Sequence, residues 1–206
     1  MKKINLFAII ATVSVSMISC GAPEEKKVEE TVVEEVETVE PTSININLQE
    51  SSVMWKGRVL GMHSHHGTVA ITEGTLEMAG DVVTGGKFTI DMKSINPTDS
   101  AYSAEKTPEK LVGHLSSADF FLVDSFPTAS FVIKSADLAA KTITGDLTVR
   151  GTTNEEVIEN VMINQESGEA TGKLVFDRQA FGVAFTHPLK DVVISNDIEL
   201  DIKLKM

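Results

Sequence analysis

Thr142-Ile143-Thr144-Gly145-Asp146-Leu147-Thr148-Val149-Arg150 is the stretch from which the fold is read. Ile143, Leu147 and Val149 share one face with Gly145, opposite Thr142, Thr144, Asp146, Thr148 and Arg150. Side chains alternate sides along an extended chain, so this period of two marks a strand with one apolar and one wet face. The period returns at the C-terminal end, where Ile198, Leu200, Ile202, Leu204 and Met206 stand opposite Asp197, Glu199, Asp201, Lys203 and Lys205. Phe88, Ile90 and Met92 alternate with Lys87, Thr89 and Asp91, and Ile44, Ile46 and Leu48 with Asn45, Asn47 and Gln49. Weaker strand patterns span 52–60, 67–72, 128–136, 156–164 and 171–177. Gly74, Gly80, Gly85-Gly86, Gly151 and Gly168 read as turns between them.

One helix interrupts the strands. Thr107-Pro108-Glu109-Lys110 places a proline at the first helical position, ahead of Leu111, Val112 and Leu115. Seven to nine antiparallel strands with one short helix imply an all-β sandwich or an up-and-down barrel, and periodicity alone leaves both open. Closure into a barrel suits the long apolar C-terminal strand, which would otherwise be an unpaired edge.

The other end of the chain is organised differently. Lys2-Lys3, an apolar run from Ile4 to Ile18 and the small residues around Ser19 predict a secretory signal peptide over residues 1–19. The run is short of the roughly 20 apolar residues that span a bilayer. Met17-Ile18-Ser19-Cys20 resembles the lipobox of bacterial lipoproteins, which implies that Cys20 is lipidated. At about 0.8 kcal/mol per buried methylene, several acyl chains anchor a protein durably without a spanning helix. The expected location is the outer membrane, on its periplasmic or cell-surface side. Cys20 is the only cysteine, so no intrachain disulfide supports the fold.

Residues 20–42 read as the lipidated cysteine and an acidic tether, with eight glutamates against two lysines and no aromatic residue. Residues 43–206 are then one domain of ordinary size, itself acidic within a chain of net charge −12. That balance argues against nucleic-acid partners.

Five strings, in order, resemble the YceI-like family of lipocalin-like bacterial proteins over residues 44–206. They are Trp55-Lys56-Gly57 with His65-His66-Gly67-Thr68; Gly86-Lys87-Phe88 through Ser94-Ile95; Leu111-Val112-Gly113-His114-Leu115 with Asp119-Phe120-Phe121 and Phe126-Pro127; Thr144-Gly145-Asp146 through Thr153; and Phe176-Asp177-Arg178 with Phe181-Gly182-Val183. The resemblance implies an extended antiparallel barrel of about eight strands with a long apolar interior. It further implies a polyisoprenoid or isoprenoid-quinone ligand, and it is compatible with an edge-to-edge homodimer. The expected interior residues are Trp55, Phe88, Ile90, Met92, Phe120, Phe121, Phe131, Leu147, Phe176 and Phe181. Trp55 also reads as a plug of the barrel floor.

Polar candidates for a ligand head group are His65, His114 and Arg178, each with a structural alternative. Arg178 could pair with Asp177 or Asp119, and His114 could cap helix carbonyls. His63 and His65, two apart on a strand, would share a side, and a metal there would need a third ligand such as His114 or His187. No metal signature is completed, and no metal or cofactor is assigned. Neither a Gly-x-Ser-x-Gly elbow nor a glycine-rich phosphate loop occurs, so binding is favoured over catalysis. A self-filled structural barrel and an enzyme acting on an apolar substrate remain the alternatives.

Overall fold

The computed structural model describes residues 40–206; the leader, Cys20 and most of the predicted tether lie outside the described residues. Nine strands run in chain order: β1 (Thr42–Asn45), β2 (Ser52–Val59), β3 (His63–Ala79), β4 (Val82–Pro97), β5 (Thr128–Asp137), β6 (Thr142–Val149), β7 (Thr152–Asn164), β8 (Glu169–Asp177) and β9 (Ile194–Lys205). Helix α1 (Pro108–Ser116) lies between β4 and β5, and a 3₁₀ turn (Arg178–Phe181) follows β8.

From β2 to β9 each strand pairs antiparallel with the next, and β9 returns to β2 through Ile202↔Val53 and Leu200↔Trp55. Eight strands therefore close into an up-and-down barrel with no free edge. Strand β1 is an extension, pairing Ile44 with Leu76 on the same side of β3 that β2 occupies nearer its start. The C-terminal strand is thus paired on both sides along most of its length, which removes the edge that its apolar face made hazardous.

Strand β6 alternates without a break, with Ile143, Gly145, Leu147 and Val149 buried and their neighbours half-exposed. It ends in a two-residue turn in which Arg150 and Gly151 both have positive φ, 50° and 74°, between the paired residues Val149 and Thr152. That conformation is the type I′ hairpin turn, whose twist matches the strands it joins. Helix α1 starts where the proline places it, and the Thr107 hydroxyl accepts the Lys110 N–H at 3.4 Å as its N-cap.

Three expectations about local structure are corrected. Gly74 is not a turn: it lies within the 17-residue β3, which is far longer than the 67–72 pattern. It is small because Ile46 packs over it, with Cδ1 only 2.4 Å from where a Cβ would stand. Gly85-Gly86 likewise lies inside β4, beside a register shift at Glu77 and Met78. The alternating run 44–49 also breaks early, because the Asn47 side chain accepts the Gln49 N–H at 3.1 Å and turns the chain toward β2.

Candidate functional site

The inward faces of the strands do not meet. They enclose a cavity of about 180 Å³ whose walls are almost entirely carbon. An apolar cavity of about 150 Å³ is enough to take up a benzene molecule. This one is long: β9 alone lines it from Ile194 to Leu204, about 33 Å of strand at 3.3 Å per residue. Ile198, Leu200 and Ile202 point into the barrel yet are only partly buried, because the space before them holds no packing partner.

Nine of the predicted interior residues line this cavity: Trp55, Phe88, Ile90, Met92, Phe120, Phe121, Phe131, Leu147 and Phe176. Trp55 lines the cavity from β2, its indole N–H donating to the Thr68 carbonyl at 3.3 Å. Phe181 is placed elsewhere. It is fully buried behind the wall, edge-on to Phe176 at 5.3 Å between centroids, because the 3₁₀ turn carries it off the strand face. Sequence patterning missed Val69, Ile71, Ile158 and Leu174 as lining residues. Their strand patterns were visible, but not which face of each closed inward.

Arg178 lines the same cavity at the end near α1 and is 2% exposed. Its Nε donates to the Ser195 carbonyl at 3.0 Å and its Nη1 to the Val183 carbonyl at 2.6 Å. The Phe120 ring lies 5.7 Å from the guanidinium carbon. The expected link to Asp177 or Asp119 is not formed: the Asp177 carboxylate accepts the Gln179 N–H instead, and backbone carbonyls hold the guanidinium. Burial pulls the Arg178 pKa below its ordinary value, and the nearby Asp177 charge opposes this.

His114 does not line the cavity; it packs edge-on against Phe120, which does, at 4.9 Å and against Phe185 at 4.6 Å. His65 is also outside, on the flank of β3. Its Nδ1 lies 3.2 Å from Asp99, and its ring stacks on Tyr102 at 5.3 Å. Asp99 further accepts the N–H groups of His66 and Ala101 and the Tyr102 hydroxyl. Burial alone would raise the Asp99 pKa, but these donors outweigh it and hold the carboxyl down at about 2. Burial and the bond to Asp99 raise that of Tyr102. The His63 ring meets His65 edge-on at 4.9 Å, and burial lowers the His63 pKa, with the neighbouring His65 and Lys106 charges adding to it. Among the described residues no group of three His, Cys, Asp or Glu side chains is arranged to hold a metal. The cluster fastens the segment after β4 to β3. Sequence reading missed Asp99 and Tyr102 because 34 residues separate Asp99 from His65.

Eight antiparallel strands closed around an apolar bore form the architecture of the lipocalin-like ligand barrels. Residues 44–206 match the YceI-like domain, and the chain belongs to that family. A UPF0312 protein of Pseudomonas putida is 30% identical over 166 residues, covering 76% of this chain and 81% of the relative. A UPF0312 protein of Staphylococcus aureus is 34% identical over 98 residues, 43% of this chain and 56% of the relative. Among solved structures, Burkholderia cenocepacia BcnA superposes with a TM-score of 0.55 at 19% identity, covering 77% of this chain and 98% of that one. A polyisoprenoid binding domain from Saccharophagus degradans gives 0.50 at 11% identity, over 78% and 95%. At such identities the likeness to the solved structures is one of fold.

Proposed function

We propose that this protein binds a long apolar molecule, of the polyisoprenoid or isoprenoid-quinone class, inside the barrel, and carries or scavenges it while tethered to a membrane through a lipidated Cys20. The observation that carries the reading is the long cavity lined by carbon and left unfilled by the protein's own side chains. A self-filled structural barrel would bury Ile198, Leu200 and Ile202 fully, and they are not. Burying an apolar chain along such walls is favourable by about 25 cal/mol per Å² before association costs are subtracted. The description of the Saccharophagus degradans domain as polyisoprenoid binding supports the choice of ligand class. The activity assigned is binding rather than catalysis.

The test is mass spectrometry of solvent extracts from protein purified without detergent. A co-purifying isoprenoid in near-stoichiometric amount is the expected result. Native protein that yields no lipid and takes up none from vesicles would overturn the reading.

A further inference from the structure

Among the described residues six large apolar side chains are more than half exposed, and four of them, Leu60, Met62, Leu189 and Val193, sit in two loops at one end of the barrel. Leu60 and Met62 belong to the β2–β3 turn, and Leu189 and Val193 to the segment between the 3₁₀ turn and β9. The Leu60 N–H donates to the Val193 carbonyl at 2.8 Å, and Val59 pairs with Ile194 beside it, so the two loops form one tip. Leu189 and Met62 are 64% and 61% exposed. Apolar side chains scattered singly over a surface are ordinary, but gathered in one place they mark an interaction site.

Two features say what covers this tip. The cavity wall runs into it: Gly57 and Ile194 line the bore, and they adjoin Val59 and Val193 respectively. The tip also lacks the acidic character of the rest of the domain. Residues 58–62 and 182–193 hold Arg58 and Lys190 against Asp191 alone. An anionic lipid surface therefore does not repel them as it repels carboxylates elsewhere on the chain.

We infer that this tip docks on a lipid bilayer, with Leu60, Met62, Leu189 and Val193 inserted among the acyl chains, and that apolar ligand passes between bilayer and bore there. The inference rests on the reading of the barrel as a lipid-binding site and adds the surface from which that site is loaded. A long apolar chain is costly to carry through water, and a cavity wall continuous with an inserted tip spares it that passage. Strand β1 begins at Thr42 opposite Met78, 15 positions along β3 from His63, or about 50 Å at 3.3 Å per residue. The 22 residues from Cys20 to Pro41 can span up to about 75 Å at full extension. An anchor at Cys20 thus leaves the tip within reach of the same membrane.

The experiment uses the full chain with Cys20→Ser and one new cysteine, Met62→Cys at the tip or Val82→Cys in the β3–β4 turn at the other end, labelled with an environment-sensitive fluorophore. Vesicles of phosphatidylethanolamine and phosphatidylglycerol in equal parts, added in excess, carry nitroxide groups on their acyl chains. The probe at 62 should shift to the blue and be quenched, while the probe at 82, also exposed, should stay in water. Leu60→Ser and Val193→Ser should each weaken docking about tenfold, as expected for the apolar surface removed. Should Met62→Cys fail to fold, Leu189→Cys carries the probe instead. Equal signals at 62 and 82 would overturn the inference and leave the face to a protein partner. A blue shift at 62 that appears without vesicles and grows with protein concentration would also overturn it, because a second copy then covers the tip. Isoprenoid uptake from the same vesicles by a chain whose tip stays in water would sink the docking and keep the lipid-binding reading. A docked tip on a barrel that takes up none would keep the docking and overturn that reading.

Discussion

Gly145 and Phe131 occupy one space: a Cβ built on Gly145 would stand 2.6 Å from the Phe131 ring and 2.4 Å from the Val132 carbonyl oxygen. Strand β6 gives up a side chain on its buried face so that the neighbouring strand can lay an aromatic ring across it. That ring is then part of the cavity wall.

Gly145→Ala should therefore destabilise the barrel by about 1–3 kcal/mol, the usual cost of overpacking a well-filled site. Urea denaturation checks this, with a lowered midpoint at an unchanged slope as the expected outcome. A midpoint equal to that of the unsubstituted protein would mean that β5 and β6 yield more easily than their register suggests.

Ile90 and Leu147 face the cavity from neighbouring parts of its wall. Ile90→Asp or Leu147→Lys puts an unpaired charge among apolar side chains and should expel ligand or unfold the barrel. The milder Ile90→Ala should fold and retain lipid less well. Lipid titration, with folding checked by circular dichroism, separates these outcomes.

Asp99 supplies a pH dependence whose sign follows from its partners. Its carboxyl is held at about 2, against an ordinary 3.8, by four donors. A depressed folded pKa contributes stability that is fully present above the unfolded value and lost as pH falls through the folded one. The window therefore runs from just above pH 3.8 down to about 2, and the amount is about 2 kcal/mol at about 1.4 kcal/mol per unit. Asp99→Asn should be less stable than the unsubstituted protein near neutrality, and the difference should narrow across that window. Denaturant midpoints measured through the acid range provide the check.

Cys20→Ser should release the protein from membranes and abolish fatty-acid labelling. A chain starting near Ser43 should melt within a few degrees of the full mature chain, because residues 21–42 carry little that could join a core. Membrane fractionation and thermal melts decide the two points separately.

Much of this fold was legible in the chain because strand alternation is local. Thr142 to Val149 announces its buried face residue by residue, and Thr107-Pro108 announces the start of α1. The strings around Trp55, His114 and Arg178 carried the family resemblance, and Phe88, Ile90 and Leu147 could be aimed inward before the barrel was seen. Gly74 misled because a glycine that makes room for Ile46 looks, in sequence, like one that makes a turn.

Tertiary structure alone decided the rest. Closure is the pairing of Val53 with Ile202, 149 positions apart, and no local pattern encodes which strand a β-strand will find. Whether the inward faces fill the bore or leave it open depends on how eight strands space their side chains, and the partly bare Leu200 shows that they leave it open. The setting of Arg178 is of the same kind. Its sequence neighbours suggested a carboxylate partner, but the 3₁₀ turn and the start of β9 brought two carbonyls to it instead. A guanidinium's charge belongs to the residue; whether that charge is paired belongs to the fold.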